Sequence, residues 1–181
     1  MTRVNRLSGI AVILKAAEFA ARKHRDQRRK DKSASPYINH PIALAEVLSR
    51  VGGITSPNVL AAGLLHDTLE DTQTTRLELR KAFGPSIAKI VDEVTDDKRL
   101  PKQRRKELQV EHAAHISKSA KLVKLADKIS NLSDIVTSPP AGWSLQRKRE
   151  YFDWAKRVID QVRGTNAKLE RRFDTLYRKR P

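Results

Sequence analysis

The sequence predicts an all-α fold, one compact multi-helix domain over residues 1–181, and three observations carry that prediction. Apolar residues recur at intervals of three and four along nearly the whole chain. Runs that alternate apolar with polar residues, the mark of a half-buried strand, are scarce. The breaks between periodic stretches fall at Gly84, Pro101, Pro139-Pro140 and Gly164, residue types that stop or redirect helices. At 181 residues the chain can bury a core without disulfides or a structural metal.

The first helix is expected from Leu7 to about Arg25, and a second after Asn39. A third should run from Pro57 to Asp71, with Ser56 as cap and Pro57 suited to the first turn. Further helices are expected at Thr74–Phe83 and Pro85–Asp96, separated by Gly84, then at Pro101–His115 and Ser119–Val136. Ser144–Arg163 and Asn166–Arg178 complete the series. The basic stretch Arg28-Arg29-Lys30-Asp31-Lys32-Ser33-Ala34-Ser35 reads as an exposed loop, and residues 1–6 and 179–181 as loose ends. No internal repeat or low-complexity tract interrupts this plan.

The absence of cysteine excludes a disulfide scaffold, thiolate catalysis and cysteine-ligated zinc, and is compatible with a reducing cytoplasm. Gly9 to Leu14 is apolar but soon meets Lys15 and Glu18, too short for a signal peptide or membrane span, so a soluble cytoplasmic protein is expected. The net charge of +16, from 37 basic and 21 acidic residues, attracts polyanions: nucleic acid, acidic membranes or highly phosphorylated small molecules. Charge alone does not choose among them.

The residues that carry chemistry are His66-Asp67, adjacent inside an apolar run, His40 in Tyr37-Ile38-Asn39-His40-Pro41, and Asp127 in Leu125-Ala126-Asp127-Lys128. Two imidazoles and two carboxylates make a mixed nitrogen and oxygen shell that suits Mn²⁺ or Fe²⁺ better than a closed structural zinc site. On one continuous helix His66 would neighbour Glu70, and Asp67 both Glu70 and Asp71, beside the core residues Leu60, Leu64, Leu65 and Leu69. Polar groups leaving a core helix are costly unless paired, and a bound cation compensates them. In the helix around Asp127, Leu122, Leu125, Ala126, Ile129 and Leu132 form an apolar stripe. Asp127 and Asn131 share the face beside it, flanked by Lys124 and Lys128. Singly, each residue has a plainer reading: Asp127 pairing with those lysines, His40 capping a helix, His66-Asp67 arising by chance. The order His, His-Asp, Asp on predicted helices favours the metal.

These residues and their surroundings resemble the HD-domain phosphohydrolases. The likeness extends through Ala16-Ala17-Glu18-Phe19-Ala20-Ala21-Arg22-Lys23-His24, Pro36-Tyr37-Ile38-Asn39-His40-Pro41, Leu64-Leu65-His66-Asp67-Thr68-Leu69-Glu70-Asp71-Thr72 and Val123-Lys124-Leu125-Ala126-Asp127-Lys128. Within that superfamily the chain resembles the hydrolase half of the bacterial stringent-response Rel/Spo enzymes. More closely it is similar to the small stand-alone alarmone hydrolases of the Mesh1 type, over roughly Ala16 to Glu170. The resemblance implies a helical HD domain that removes the 3′ pyrophosphate of the guanine nucleotide alarmones ppGpp and pppGpp, with Mn²⁺ or another divalent metal as cofactor.

By that resemblance His40, His66, Asp67 and Asp127 are the metal ligands. Glu70 and Asp71 are the acids that place and activate the attacking water, and Asn131 is a further active-site position. Either acid can take the water's proton or assist the departing 3′ oxygen. Family comparison makes Arg29, Lys30, Lys102, Arg147 and Tyr151 substrate contacts, and Lys23 joins them by its place near a family motif. Tyr151 either meets a nucleotide or packs with Phe152 and Trp154, while Trp143 reads as a packing residue. One departure is visible: relatives usually carry Asn-Leu-Arg or Asn-Met-Arg after the metal Asp, where this chain has Asn131-Leu132-Ser133.

Two other readings stay open. The ligand motif fits a phosphatase for another phosphorylated nucleotide such as NADPH. The clusters Arg28-Arg29-Lys30, Arg104-Arg105-Lys106 and Arg178-Lys179-Arg180 fit a basic nucleic-acid-binding module. No known reading motif accompanies those clusters, and aromatics form only 5% of the chain, leaving little for base stacking, so no specific nucleic-acid partner is expected.

Overall fold

The computed structural model describes residues 8–181, and its helices start where polar side chains can take the free amides of a first turn. In chain order these are α1 (Gly9–Lys23), α2 (Asn39–Glu46), α3 (Pro57–Leu65), α4 (Thr68–Asp71), α5 (Arg76–Val94), α6 (Lys102–Ala113), α7 (Lys118–Thr137), α8 (Leu145–Asp160) and α9 (Ala167–Tyr177). Ser8, Thr75, Ser117, Ser144 and Asn166 each accept an amide through the side chain at the starts of α1, α5, α7, α8 and α9. Among the described residues there is no strand, only an isolated antiparallel bridge between Arg28 and Pro36.

Three departures from the sequence reading have local causes. α2 continues as a π-helical turn over Val47–Val51, with Gly52 N donating to Val47 O at 3.0 Å. The two helices expected around Gly84 meet end to end as α5, where Gly84 takes φ 81 and ψ 171 and kinks the axis. The expected Pro57–Asp71 helix breaks at His66 and Asp67, because side chains claim the carbonyls its next turn would use. His66 Nδ1 bonds Gly63 O at 2.9 Å, and Thr68 Oγ1 donates to Leu65 O at 2.6 Å.

The core lies around α3 and α7. Every α3 residue from Val59 to Leu65 is buried, and α7 contributes Leu122, Leu125, Ile129 and Leu132 from one side. Gly63 sets how closely α2 approaches α3: a Cβ there would stand 2.8 Å from Leu44 Cδ2 and 2.9 Å from Leu48 Cδ1. That close approach seats His40 beside His66. The carboxy-terminal end, expected to be loose, is anchored: Arg180 pairs with Asp153 at 2.8 Å and Arg149 donates to Pro181 O at 2.7 Å. The expected loose amino-terminal end, with Leu7, lies outside the described residues.

Candidate metal centre

Three elements bring the four candidate ligands to one point. His40 enters from α2, His66 and Asp67 from the break between α3 and α4, and Asp127 from α7. His40, His66 and Asp67 each offer a donor atom within 4.8 Å of the others. Asp127 Oδ1 lies 3.3 Å from His40 Nε2 and 3.9 Å from His66 Nε2, and His66 Nε2 lies 2.9 Å from Asp67 Oδ2. His66 and Asp67 both keep right-handed helical backbone angles at the break, and their side chains turn from neighbouring positions toward one cluster.

The surroundings orient each ligand. The Gly63 carbonyl engages His66 Nδ1 as its acceptor, which leaves Nε2 facing the cluster, where it is buried without an aligned hydrogen bond. Asp127 accepts from Asn131 Nδ2 at 2.6 Å and from Lys128 Nζ at 2.8 Å. Lys128 is itself buried, 4.3 Å from the Trp154 ring centre. Tyr37 O–H donates to Asp67 and stands 3.4 Å from Asp71 Oδ2, its ring stacked 4.8 Å from that of His24. His40 Nδ1 has no partner among the described residues.

Burial works against charge throughout this cluster, and the close pairing outweighs it. Asp67 holds the His66 imidazole up to about 9 despite desolvation. The carboxyls of Asp67 and Asp127 stay well below the usual range although burial opposes it, Asp67 through His66 and Asp127 through Lys128 and His40. A set of buried imidazole and carboxylate donors, one orphaned nitrogen among them, fits a divalent cation that takes the place of those protons.

Glu70 and Asp71, on α4, take partners outside the ligand cluster. Glu70 accepts from the Asp96 amide at 3.2 Å and pairs with Arg105 at 3.4 Å. Desolvation, then the Asp96 charge, push its carboxyl up to about 7. Asp71 pairs with Lys98, and its carbonyl accepts from Gln27 Nε2 at 2.5 Å.

Beside His40, the one candidate ligand in its lining, opens a cavity of about 810 Å³ that is also lined by Asp71, Asn131, Arg29, Lys30 and Tyr151. A second cavity of about 480 Å³ shares Lys30 and Tyr151 and adds Lys102 and Arg147. Arg29 reaches in from the α1–α2 loop and pairs with Asp134. Lys23 is not brought to either cavity; it pairs with Glu78 at 2.8 Å and lies over Phe19. Trp143, read as packing only, lines both cavities, with Arg147 4.4 Å above its ring. Phe152 is wholly buried, while Trp154 is buried yet touches the second cavity. Tyr37, Lys98 and Arg105 gained no role from the sequence, whereas Lys128 makes the pairing with Asp127 that the plainer reading of that aspartate offered. Of the basic clusters, Arg104 is taken up by Glu111 at 2.8 Å and Arg180 by Asp153.

An HD domain model matches residues 16–153. The chain is 56% identical over 170 residues to guanosine-3′,5′-bis(diphosphate) 3′-pyrophosphohydrolase MESH1 of Xenopus tropicalis, covering 94% of this chain and 95% of that protein. To the protein of the same name from Homo sapiens it is 54% identical over 173 residues, covering 96% and 97%. A solved structure described as a metazoan ortholog of SpoT that hydrolyzes ppGpp superposes with a TM-score of 0.91 at 49% identity, covering 94% of this chain and 96% of that one. The order His, His-Asp, Asp, the helical frame that gathers these residues and this breadth of likeness agree: the chain belongs to the HD-domain family.

Proposed function

We propose that this protein is a guanosine-3′,5′-bis(diphosphate) 3′-pyrophosphohydrolase, converting ppGpp or pppGpp and water to GDP or GTP and pyrophosphate in the cytoplasm, with Mn²⁺ as cofactor. The observation that carries this reading is the convergence of His40, His66, Asp67 and Asp127, with His40 opening onto a basic cavity of about 810 Å³. Relatives named for this activity, similar over nearly their whole length, support the choice of substrate. Among the described residues no helix is long and apolar enough to cross a membrane, which accords with a cytoplasmic site of action.

A divalent ion held by the four ligands would supply a low-pKa water and Lewis-acid polarisation of the phosphoryl group. The protein does the rest. Asn131 and Lys128 hold Asp127, Tyr37 holds Asp67, and the Gly63 carbonyl holds His66 in its ligating tautomer. The water oxygen bonds to the phosphorus nearest the ribose, the bond from that phosphorus to the 3′ oxygen breaks, and the 3′ oxygen gains a proton. Glu70, with its raised carboxyl pKa, takes the water's proton, and Asp71 serves the departing oxygen. Arg29, Lys30, Lys102 and Arg147 neutralise the substrate's charge, and Tyr151 and Trp143 offer ring faces to the base.

Product analysis tests this. Purified protein with ppGpp and Mn²⁺ yields GDP and pyrophosphate, chelator stops the reaction, and Asp67→Ala removes both bound metal and turnover. A parallel NADPH incubation measures selectivity. Intact ppGpp in the presence of metal-loaded protein overturns the substrate assignment.

A further inference from the structure

Both acids assigned to the chemistry are held by cations from one short segment. Lys98, in the loop before α6, pairs with Asp71, and Arg105, in the second turn of α6, pairs with Glu70 at 3.4 Å. A third contact comes from the same stretch, where the Asp96 amide donates to Glu70 Oε2 at 3.2 Å. Gln109, one turn beyond Arg105, ties back to Asp96 at 2.7 Å. Residues 96–109 therefore close over Glu70 and Asp71 as one unit.

The segment is built to let go. α6 buries only Ala113, and its main packing partner is α8. The side chain of Lys98 is 49% exposed, and it lines the 810 Å³ cavity together with Asp71 and Asn131. Arg105 lines the neighbouring 480 Å³ cavity, with its Nε buried and unpartnered. An ion pair whose lysine is half exposed is a weak one. A diphosphate, with more charge and more acceptor oxygens, is a stronger one.

We infer that Lys98 and Arg105 form a substrate-released latch: they occupy Asp71 and Glu70 until an incoming diphosphate group draws both cations onto its own oxygens and frees the acids. The inference rests on the proposed function for the roles of Glu70 and Asp71. The exchange breaks two ion pairs and makes two, and it leaves the two carboxylates free to act on the water and the departing oxygen. It also sets a preference for substrates carrying a diphosphate over those carrying a single phosphate at the same position.

The test uses the whole chain and inorganic pyrophosphate as probe, so that it reads binding whether or not ppGpp is turned over. Calorimetry on metal-free protein is expected to show pyrophosphate binding about 10-fold weaker in Lys98→Met and restored in Lys98→Arg. GDP, which lacks the 3′ diphosphate, is expected to bind both proteins alike. Adding pyrophosphate to wild type should raise amide hydrogen exchange at Asp96, whose N–H leaves Glu70 as the segment releases. In turnover assays Lys98→Met should raise KM for ppGpp about 10-fold while holding kcat within about threefold. Unchanged pyrophosphate affinity in Lys98→Met, or an equal loss of GDP affinity, would overturn the latch and leave a plain structural ion pair. Pyrophosphate binding with this lysine dependence in a protein that leaves ppGpp intact would keep the latch and reject the alarmone as substrate.

Discussion

The floor and the walls of the main cavity are both charged, yet they are built by different rules. On the floor, the His40 and His66 side chains are 2% and 6% exposed, and each anion or ring is held by a neighbour that cannot easily leave: Lys128 and Asn131 on Asp127, Tyr37 on Asp67, the Gly63 carbonyl on His66. On the walls of this cavity and its neighbour, Lys30, Lys98, Lys102 and Arg147 are exposed, Arg29 rests on Asp134 and Lys98 on the partly exposed Asp71. The proposed ion needs one geometry, and the floor's packed groups suit it. The proposed polyanion must bind and leave, and the walls' cations, parked on partners that a phosphate can replace, suit that.

Four variants break or sharpen that contrast. Glu70→Gln stands between the two regions and should show the largest effect: metal content measured by atomic emission stays at wild type, while turnover falls about 10²–10⁴-fold. Equal loss of metal would move Glu70 to the floor. Lys128→Met strips the floor of its buried cation and leaves Asp127 uncompensated. Urea unfolding of the metal-free protein should show a loss of about 3–5 kcal/mol, part of which returns on adding Mn²⁺.

Lys124 provides the opposite case on the same helix. It is buried, no carboxylate among the described residues pairs with it, and burial followed by the Lys128 charge brings its pKa down to about 8. The unfolded chain, with an ordinary lysine pKa near 10.5, binds more protons between pH 8 and 10.5, so this group makes stability rise with pH across that window. Its cost is fully present below pH 8. Lys124→Met should therefore be stabilising by ~2 kcal/mol at pH 7, with the gain shrinking toward pH 10 in parallel urea titrations. Smallest of all, Arg147→Ala on the wall should leave the melting temperature unchanged and raise KM about fivefold. A fall in melting temperature there would show that its stacking on Trp143 is structural.

Much of this was legible from residues alone. Helix positions follow from three-four periodicity with Gly and Pro breaks, and the observed ends differ from that reading by a few residues, because caps such as Ser117 and Ser144 are local signals. The ligand set was legible as an ordered motif. The break at His66-Asp67 was not, since Pro57 to Asp71 keeps a helical pattern and only the side-chain claims of His66 and Thr68 on the preceding carbonyls interrupt it. Lys23 illustrates the reverse error: nearness to a motif in sequence put it with the substrate contacts, whereas α1 turns it onto Glu78 of α5.

By itself the sequence determined the all-helical class, the donor types of the metal site and the basic character of its surroundings, because these depend on local periodicity and side-chain chemistry. Tertiary structure alone decided which distant groups hold which: Tyr37 on Asp67, and Lys98 and Arg105 on the two acids. Those pairings join residues up to 35 positions apart, and the distance at which charges meet is set by how helices pack, which no local pattern encodes.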